Sequence, residues 1–133
     1  MTVQDCDITS WSGRGVVADR GANVKLINTK IHDCAATGAY AEKSSMRLHK
    51  CFINNNGKGP RTMSQGHSGL FFTKSHFVVS SCVITDNDYS GLCVYDTEST
   101  GILENTIISR NGAIQVLETV SGVLERRGQN VIL

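Results

Sequence analysis

Asp19 and Glu42 stand 23 residues apart, each ending a short run of small and apolar residues, Val16-Val17-Ala18 and Ala39-Tyr40-Ala41. Two carboxylates brought to one level, about 5 Å apart on neighbouring strands, can share a cation or a proton. Asp96 and Glu118 extend the acidic candidates on the same face, and Asp86 and Asp88 form a second group in a turn. The four histidines read as structural or solvated: His32 and His49 fall in or beside turns, His67 lies in a loop, and His76 starts a strand. No Ser/His/Asp arrangement can be placed from spacing. The five cysteines lack the paired short spacing of a zinc site, so no metal centre is expected from them. Three of them, Cys6, Cys51 and Cys82, share one column and read as buried reduced thiols, with a Cys51–Cys82 bridge as the alternative.

These residues need elements that repeat. One isoleucine column runs Ile8, Ile31, Ile53, Ile84 and Ile107, at spacings of 23, 22, 31 and 23. Five residues earlier stands a second apolar column: Val3, Leu26, Leu48, Val79, Ile102. Two residues before each isoleucine comes Cys6, Thr29, Cys51, Cys82, Asn105, and three after it Trp11, Cys34, Asn56, Asn87, with Asn111 if the turn has shortened. Glycines follow at Gly15, Gly38, Gly69 and Gly91, with Gly112 two residues early. After each glycine inward residues alternate as Val16/Ala18, Ala39/Ala41, Leu70/Phe72, Leu92/Val94 and Ile114/Val116, the period-two pattern of a half-buried strand. The long spacing marks a loop insertion at 57–67.

Coils of about 22 residues, each with three short strands and no helical spacing, predict an all-β parallel solenoid of about five to six coils. The strong chiral preference of parallel crossovers predicts a right-handed coil. About six inward side chains, each worth about 1.5–3 kcal/mol, cannot order one such coil alone, so stacking must supply the remainder. Residues 1–133 read as one domain. The absence of an obvious cap suggests part of a longer β-helix, or one that associates end to end. From Val120 the pattern decays: Val123 and Leu124 match Ile102 and Leu103, Gly128 stands where the isoleucine belongs, and Val131-Ile132-Leu133 reads as a strand start or a plug.

The glycine-opened strands and Asn-rich turns resemble the right-handed parallel β-helix repeats of the pectate-lyase-like superfamily, particularly the short CASH repeats. The Ile31-His32-Asp33 turn and the Gly91-Leu92-Cys93-Val94 strand are similar to repeats in β-helix-bearing F-box proteins. The resemblance covers residues 2 to about 128. For enzymes of that superfamily it implies clustered carboxylates on one strand face, acting with Ca²⁺ or as an acid/base pair. That makes Asp19 and Glu42 the catalytic candidates and Ca²⁺ the one ion to consider; no other cofactor is expected. The F-box resemblance implies recognition of a protein.

A net charge of +1 from 13 basic and 12 acidic residues argues against a dedicated nucleic-acid or acidic-lipid binder. The polar Met1–Ser10 stretch already lies in register, which predicts no signal peptide, and no apolar run approaches a membrane span. With the odd cysteine count this points to the cytoplasm. The outward column between inward strand residues is Val17, Tyr40, Phe71, Cys93 and Gln115, with Tyr95 alongside; a second is Asp7, Lys30, Phe52, Val83, Thr106. Tyr40, Phe71 and Tyr95 form an aromatic stripe of the kind that marks a recognition surface, and Lys58, Arg61 and His67 put cations on the insertion. Two functions fit: a non-catalytic module that binds a protein or its own copies through the aromatic face or coil ends, or a β-helix that binds or cleaves a polysaccharide. The residues do not decide between them, nor whether a reaction is catalysed.

Overall fold

The computed structural model describes residues 1–60, 67–120 and 123–133. The first coil contributes β1 (Thr2–Gln4), β2 (Asp7–Ile8) and β3 (Val16–Ala18), and the second β4 (Asn23–Ile27), β5 (Lys30–His32) and β6 (Ala39–Glu42). The third carries β7 (Ser45–His49), β8 (Phe52–Asn54) and β9 (Leu70–Thr73), and the fourth β10 (His76–Ser80), β11 (Val83–Thr85) and β12 (Ser90–Val94). The fifth holds β13 (Thr100–Glu104), β14 (Ile107–Ser109) and β15 (Ile114–Glu118), and β16 (Leu124–Arg127) and β17 (Val131–Ile132) begin a sixth. Each coil gives one strand to each of three parallel sheets: β1-β4-β7-β10-β13-β16, β2-β5-β8-β11-β14-β17 and β3-β6-β9-β12-β15. The solenoid is as the repeat predicts, and no helix occurs among the described residues.

Residues of positive φ mark corners between the sheets. The corner between the first and second sheets places Asp5, Asn28, Lys50, Ser81 and Asn105 at φ between 46° and 55°. The next uses Asp33, Asn55, Asp86 and Arg110, and the third Arg20, Lys43 and Lys74. A left-handed Lys, Arg or Ser costs about 1–2 kcal/mol, so these conformations are imposed by the hydrogen-bonded strands on either side.

Inside the tube, Ile31, Ile53, Ile84 and Ile108 stack at zero exposure. The last of these corrects the expected register. Ile108, not Ile107, pairs with Ile84, and Ile107 pairs with Val83 and faces outward at 43 % exposure. The spacing from Ile84 is therefore 24, and the first-sheet and first-corner assignments of this coil move by one. Leu103 replaces Ile102 in the inward column, and buried Thr106 replaces Asn105, its Oγ1 accepting from Cys82 N. Because side chains alternate along a strand, a one-residue slip exchanges inside for outside.

The third sheet is corrected likewise. Ser90 pairs with Ile114 and Leu92 with Val116, so Gln115, not Gly112, occupies the glycine position. Val116 and Glu118 continue the inward columns, and Leu117 the outward one. At the C-terminal end, Leu124 pairs with Gly101, Arg126 with Leu103 and Ile132 with Ile108. The isoleucine column thus reaches Ile132 at a spacing of 24, and Val131-Ile132 is a paired strand. Arg126 and Glu118 both stand in inward columns and form an ion pair at 2.9 Å across this end.

The asparagine column is a buried ladder. Asn56 Nδ2 and N donate to Asn87 Oδ1 at 3.0 Å, and Asn87 Nδ2 and N donate to Asn111 Oδ1 at 2.9 and 3.0 Å. Each amide also donates to the carbonyl of the isoleucine below, Ile31, Ile53 or Ile84. Gln115 ends the series by offering Oε1 to Asn111 N and Nδ2. Trp11 leaves the column for solvent at 91 % exposure. Space is shared between coils: Ala41 lies under Phe72, Phe72 stacks on Phe77 with centroids 4.0 Å apart, and Gly101 leaves room for the Phe77 ring above Met46.

Candidate functional site

The outer face of the third sheet carries the column Val17, Tyr40, Phe71, Cys93, Leu117. Tyr40 and Phe71 stack with centroids 5.4 Å apart and planes at 17°, and Phe71 stacks on Tyr95 at 5.8 Å and 28°. The Arg14 guanidinium carbon lies 3.9 Å from the Tyr40 centroid. The three residues singled out by sequence are therefore one stack of rings, with Arg14 as a fourth member that sequence spacing did not reveal. Burial, followed by the nearby Glu42 charge, raises the Tyr40 phenol above its usual range. Facing sides of Tyr40, Phe71 and Tyr95 cover one another, and Tyr95 at the end is 56 % exposed.

Asp19 and Glu42 follow the paired residues Ala18 and Ala41 and are exposed on adjacent coils. Their level continues not with another acid but with Thr73, the strand partner of Glu42. Asp96 is spent on a corner: it accepts from Thr73 Oγ1 at 2.6 Å, from Lys74 N at 3.0 Å and from Ser99 N and Oγ at 3.0 Å. Burial opposes its charge, yet these hydrogen bonds together hold its carboxyl below the usual range. Glu118, expected on the same face, points inward to Arg126. Asp86 pairs with Arg110 at 2.9 Å. Among the described residues no three His, Cys, Asp or Glu side chains are arranged to hold a metal ion.

At the insertion, His67 Nδ1 lies 2.8 Å from the Gly57 carbonyl and its main-chain oxygen accepts from Tyr89 N at 3.0 Å. It closes the base of the loop. Lys58 is exposed nearby in sequence, and Arg61 lies outside the described residues. His32, read as a lone turn residue, is clamped instead: Nε2 meets Asp7 and Nδ1 lies 2.5 Å from Asp33, whose other oxygen accepts from Asn55. The hydrogen bond to Asp33 is the main cause raising the imidazole above its usual value. Asp7 and His32 are outward residues of one sheet on adjacent coils, and that juxtaposition was the available signal.

A second surface escaped the sequence reading. The outer face of the first sheet holds a shallow groove of about 730 Å³ whose lining includes Asn23, Ser45, Arg47, His76, Thr100 and Glu125. A neighbouring hollow of about 390 Å³ adds Lys25, His49, Ser80 and Glu104. His76 Nδ1 lies 2.5 Å from Thr100 Oγ1 and His49 Nδ1 3.3 Å from Ser80 Oγ. Lys25, Arg47 and His49 stand on the second and third coils, and Glu104 and Glu125 on the fifth and sixth, where Arg127 pairs with Glu125 at 2.8 Å. The polar column Asn23, Ser45, His76, Thr100 recurs eight residues before the isoleucines of the corrected register, and so was visible in principle.

A family model described as a right-handed β-helix region matches residues 1–127. No curated protein matches the chain. Among solved structures, the periplasmic alginate epimerase AlgG superposes with a TM-score of 0.76 at 12 % identity, over 99 % of this chain and 39 % of the epimerase chain. The pectate lyase Pel9A superposes with a TM-score of 0.63 at 12 % identity, over 97 % of this chain and 42 % of the lyase chain. The chain thus spans about two fifths of either neighbour's length, and identities this low speak for the fold alone.

Proposed function

Because the chain belongs to the right-handed β-helix region family, we propose that it works as a non-catalytic recognition module that associates with a second copy of itself through the outer face of its third sheet. The observation carrying this reading is the Arg14–Tyr40–Phe71–Tyr95 stack. A sugar ring binds an aromatic residue through an open ring face, and here the inner faces are occupied by neighbouring rings. A stack of rings flanked by exposed Val17 and half-buried Leu117 suits the flat, mixed contacts of a protein interface. The face also carries both signs of charge, Arg14 at one end and Asp19 and Glu42 beside the rings, so a two-fold axis would bring opposite charges together. Sedimentation over a range of concentrations tests this: an oligomer that Phe71→Asp dissociates is expected, and a monomer at every concentration would overturn it.

A second reading, binding of a polysaccharide, is favoured by a different observation, the first-sheet groove, where the polar column Asn23, Ser45, His76, Thr100 lies beside apolar Val78 and Ile102. It draws support from the fold shared with two enzymes whose names specify alginate and pectate. A glycan panel that includes uronate polymers tests it. Binding lost in Arg47→Ala supports the reading, and no response to any glycan removes it.

A further inference from the structure

We propose that Cys51 and Cys82 are a peroxide-oxidisable dithiol that closes into a disulfide between the third and fourth coils. Both stand just after the left-handed residues Lys50 and Ser81 of the same corner. Their strands are in register immediately beyond them, Phe52 against Val83, and Val83 N donates to the Cys51 carbonyl at 3.0 Å. Adjacent parallel strands lie about 4.8 Å apart, inside the Cα separation of about 4.4–6.8 Å that a disulfide spans. Both thiols turn toward this corner's main chain, Cys51 Sγ donating to the Leu26 and His49 carbonyls at 3.4 and 3.5 Å and Cys82 Sγ to the Ser80 carbonyl at 3.2 Å. Both are buried, at 3 % and 1 % exposure, which disfavours a bulky oxidant and makes hydrogen peroxide the probe.

The two sulfurs are chemically unlike. The neighbouring Cys82 side chain brings the Cys51 thiol down to about 7 against the opposing effect of burial, whereas the same proximity together with burial pushes Cys82 up. Burial, followed by the Asp33 charge, raises Cys34, and burial alone raises Cys93 to about 11. Cys6 is exposed and has Thr29 rather than a thiol above it in the column. Among the five cysteines, Cys51 is the one with both thiolate character and a resolving partner.

The step balances as follows. The Cys51 thiolate attacks one oxygen of hydrogen peroxide, the O–O bond breaks and hydroxide leaves, giving a sulfenic acid. The Cys82 sulfur then attacks the Cys51 sulfur, the S–O bond breaks, and the departing hydroxyl takes the Cys82 proton as water. Two thiols are oxidised by two electrons, and peroxide is reduced to water. The bridge closes a segment that contains the whole insertion at 57–67.

The native chain is exposed to hydrogen peroxide, its remaining thiols are alkylated after unfolding, and peptides are mapped without reduction. The expected product is a Cys51–Cys82 crosslink that has lost two hydrogens and is restored by dithiothreitol, forming faster as pH rises through about 7. In Cys82→Ser, a dimedone adduct should collect on Cys51. Recovery of both cysteines as alkylated thiols while Cys6 is oxidised would overturn the proposal, as would a crosslink of Cys51 to any other cysteine. The wild-type peptide map decides the matter even if Cys82→Ser fails to fold.

Discussion

Asn56 and Asn87 share one buried rung: both the side-chain and main-chain nitrogens of Asn56 donate to Asn87 Oδ1 at 3.0 Å. Asn87 in turn donates to the Ile53 carbonyl and to Asn111 Oδ1. Asn87→Ala takes partners from Asn56 and the Ile53 carbonyl on the coil below and from Asn111 on the coil above. With each unsatisfied buried group costing about 1–3 kcal/mol, the loss should reach about 3–5 kcal/mol. Urea denaturation measures it, and a change below 1 kcal/mol would mean that the rung holds nothing together.

Gly101 is the ceiling over the Phe77 ring, and a β-carbon there would run into that ring. Gly101→Ala should cost about 1–3 kcal/mol through overpacking. Adding Phe77→Leu should recover part of that loss, because the smaller side chain vacates the contested space. A double variant no more stable than the single one would refute this account of the glycine.

His32 makes stability depend on pH in a calculable sense. The groups that face it are Asp7 on β2, Asp33 at the corner and Lys30 on its own strand. Its folded value is raised above 6.5, so the stability it contributes is complete below 6.5 and is lost as pH climbs through the raised value. Asp33 is lowered from 3.8, so its part is present above 3.8 and is lost as pH falls through the depressed value. Between those limits both act. The difference in urea midpoint between wild type and His32→Gln should therefore shrink from about pH 5 to about pH 8; a constant difference would contradict it.

Arg126 and Glu118 put an ion pair over the core at the C-terminal end. Arg126→Leu strands the largely covered Glu118 carboxylate and should destabilise by about 1–3 kcal/mol. Combining it with Glu118→Leu should raise the sedimentation coefficient at high concentration, because both charges that another tube would have to desolvate are then gone. If association is unchanged, the pair does not guard that end.

Much of this was legible before any coordinates. Ile8, Ile31, Ile53 and Ile84 define the coil, and the interior asparagines and the aromatic stripe follow from counting. The fifth coil was misread because Ile107 and Ile108 are neighbours, and a period-two pattern cannot choose between adjacent isoleucines without the pairing itself. Gln115 hid the glycine column by replacing the glycine with a side chain that ends the asparagine ladder. The acidic face dissolved for a different reason: the chain positions of Asp96 and Glu118 do not say which way each carboxylate turns. The groove of the first sheet was overlooked because its polar column carries no single residue type, only a shared register.

Ile53 and Ile84 remain partners although 31 residues separate them, while other neighbouring coils need only 22 to 24. The extra chain leaves and re-enters at one corner, and the pitch of the winding does not register its length. Since each doubling of a flexible loop costs only about 0.6 kcal/mol in closure entropy, that corner is a socket. Peptides of different length and composition can be exchanged there as cassettes, and the tube beneath would keep its shape.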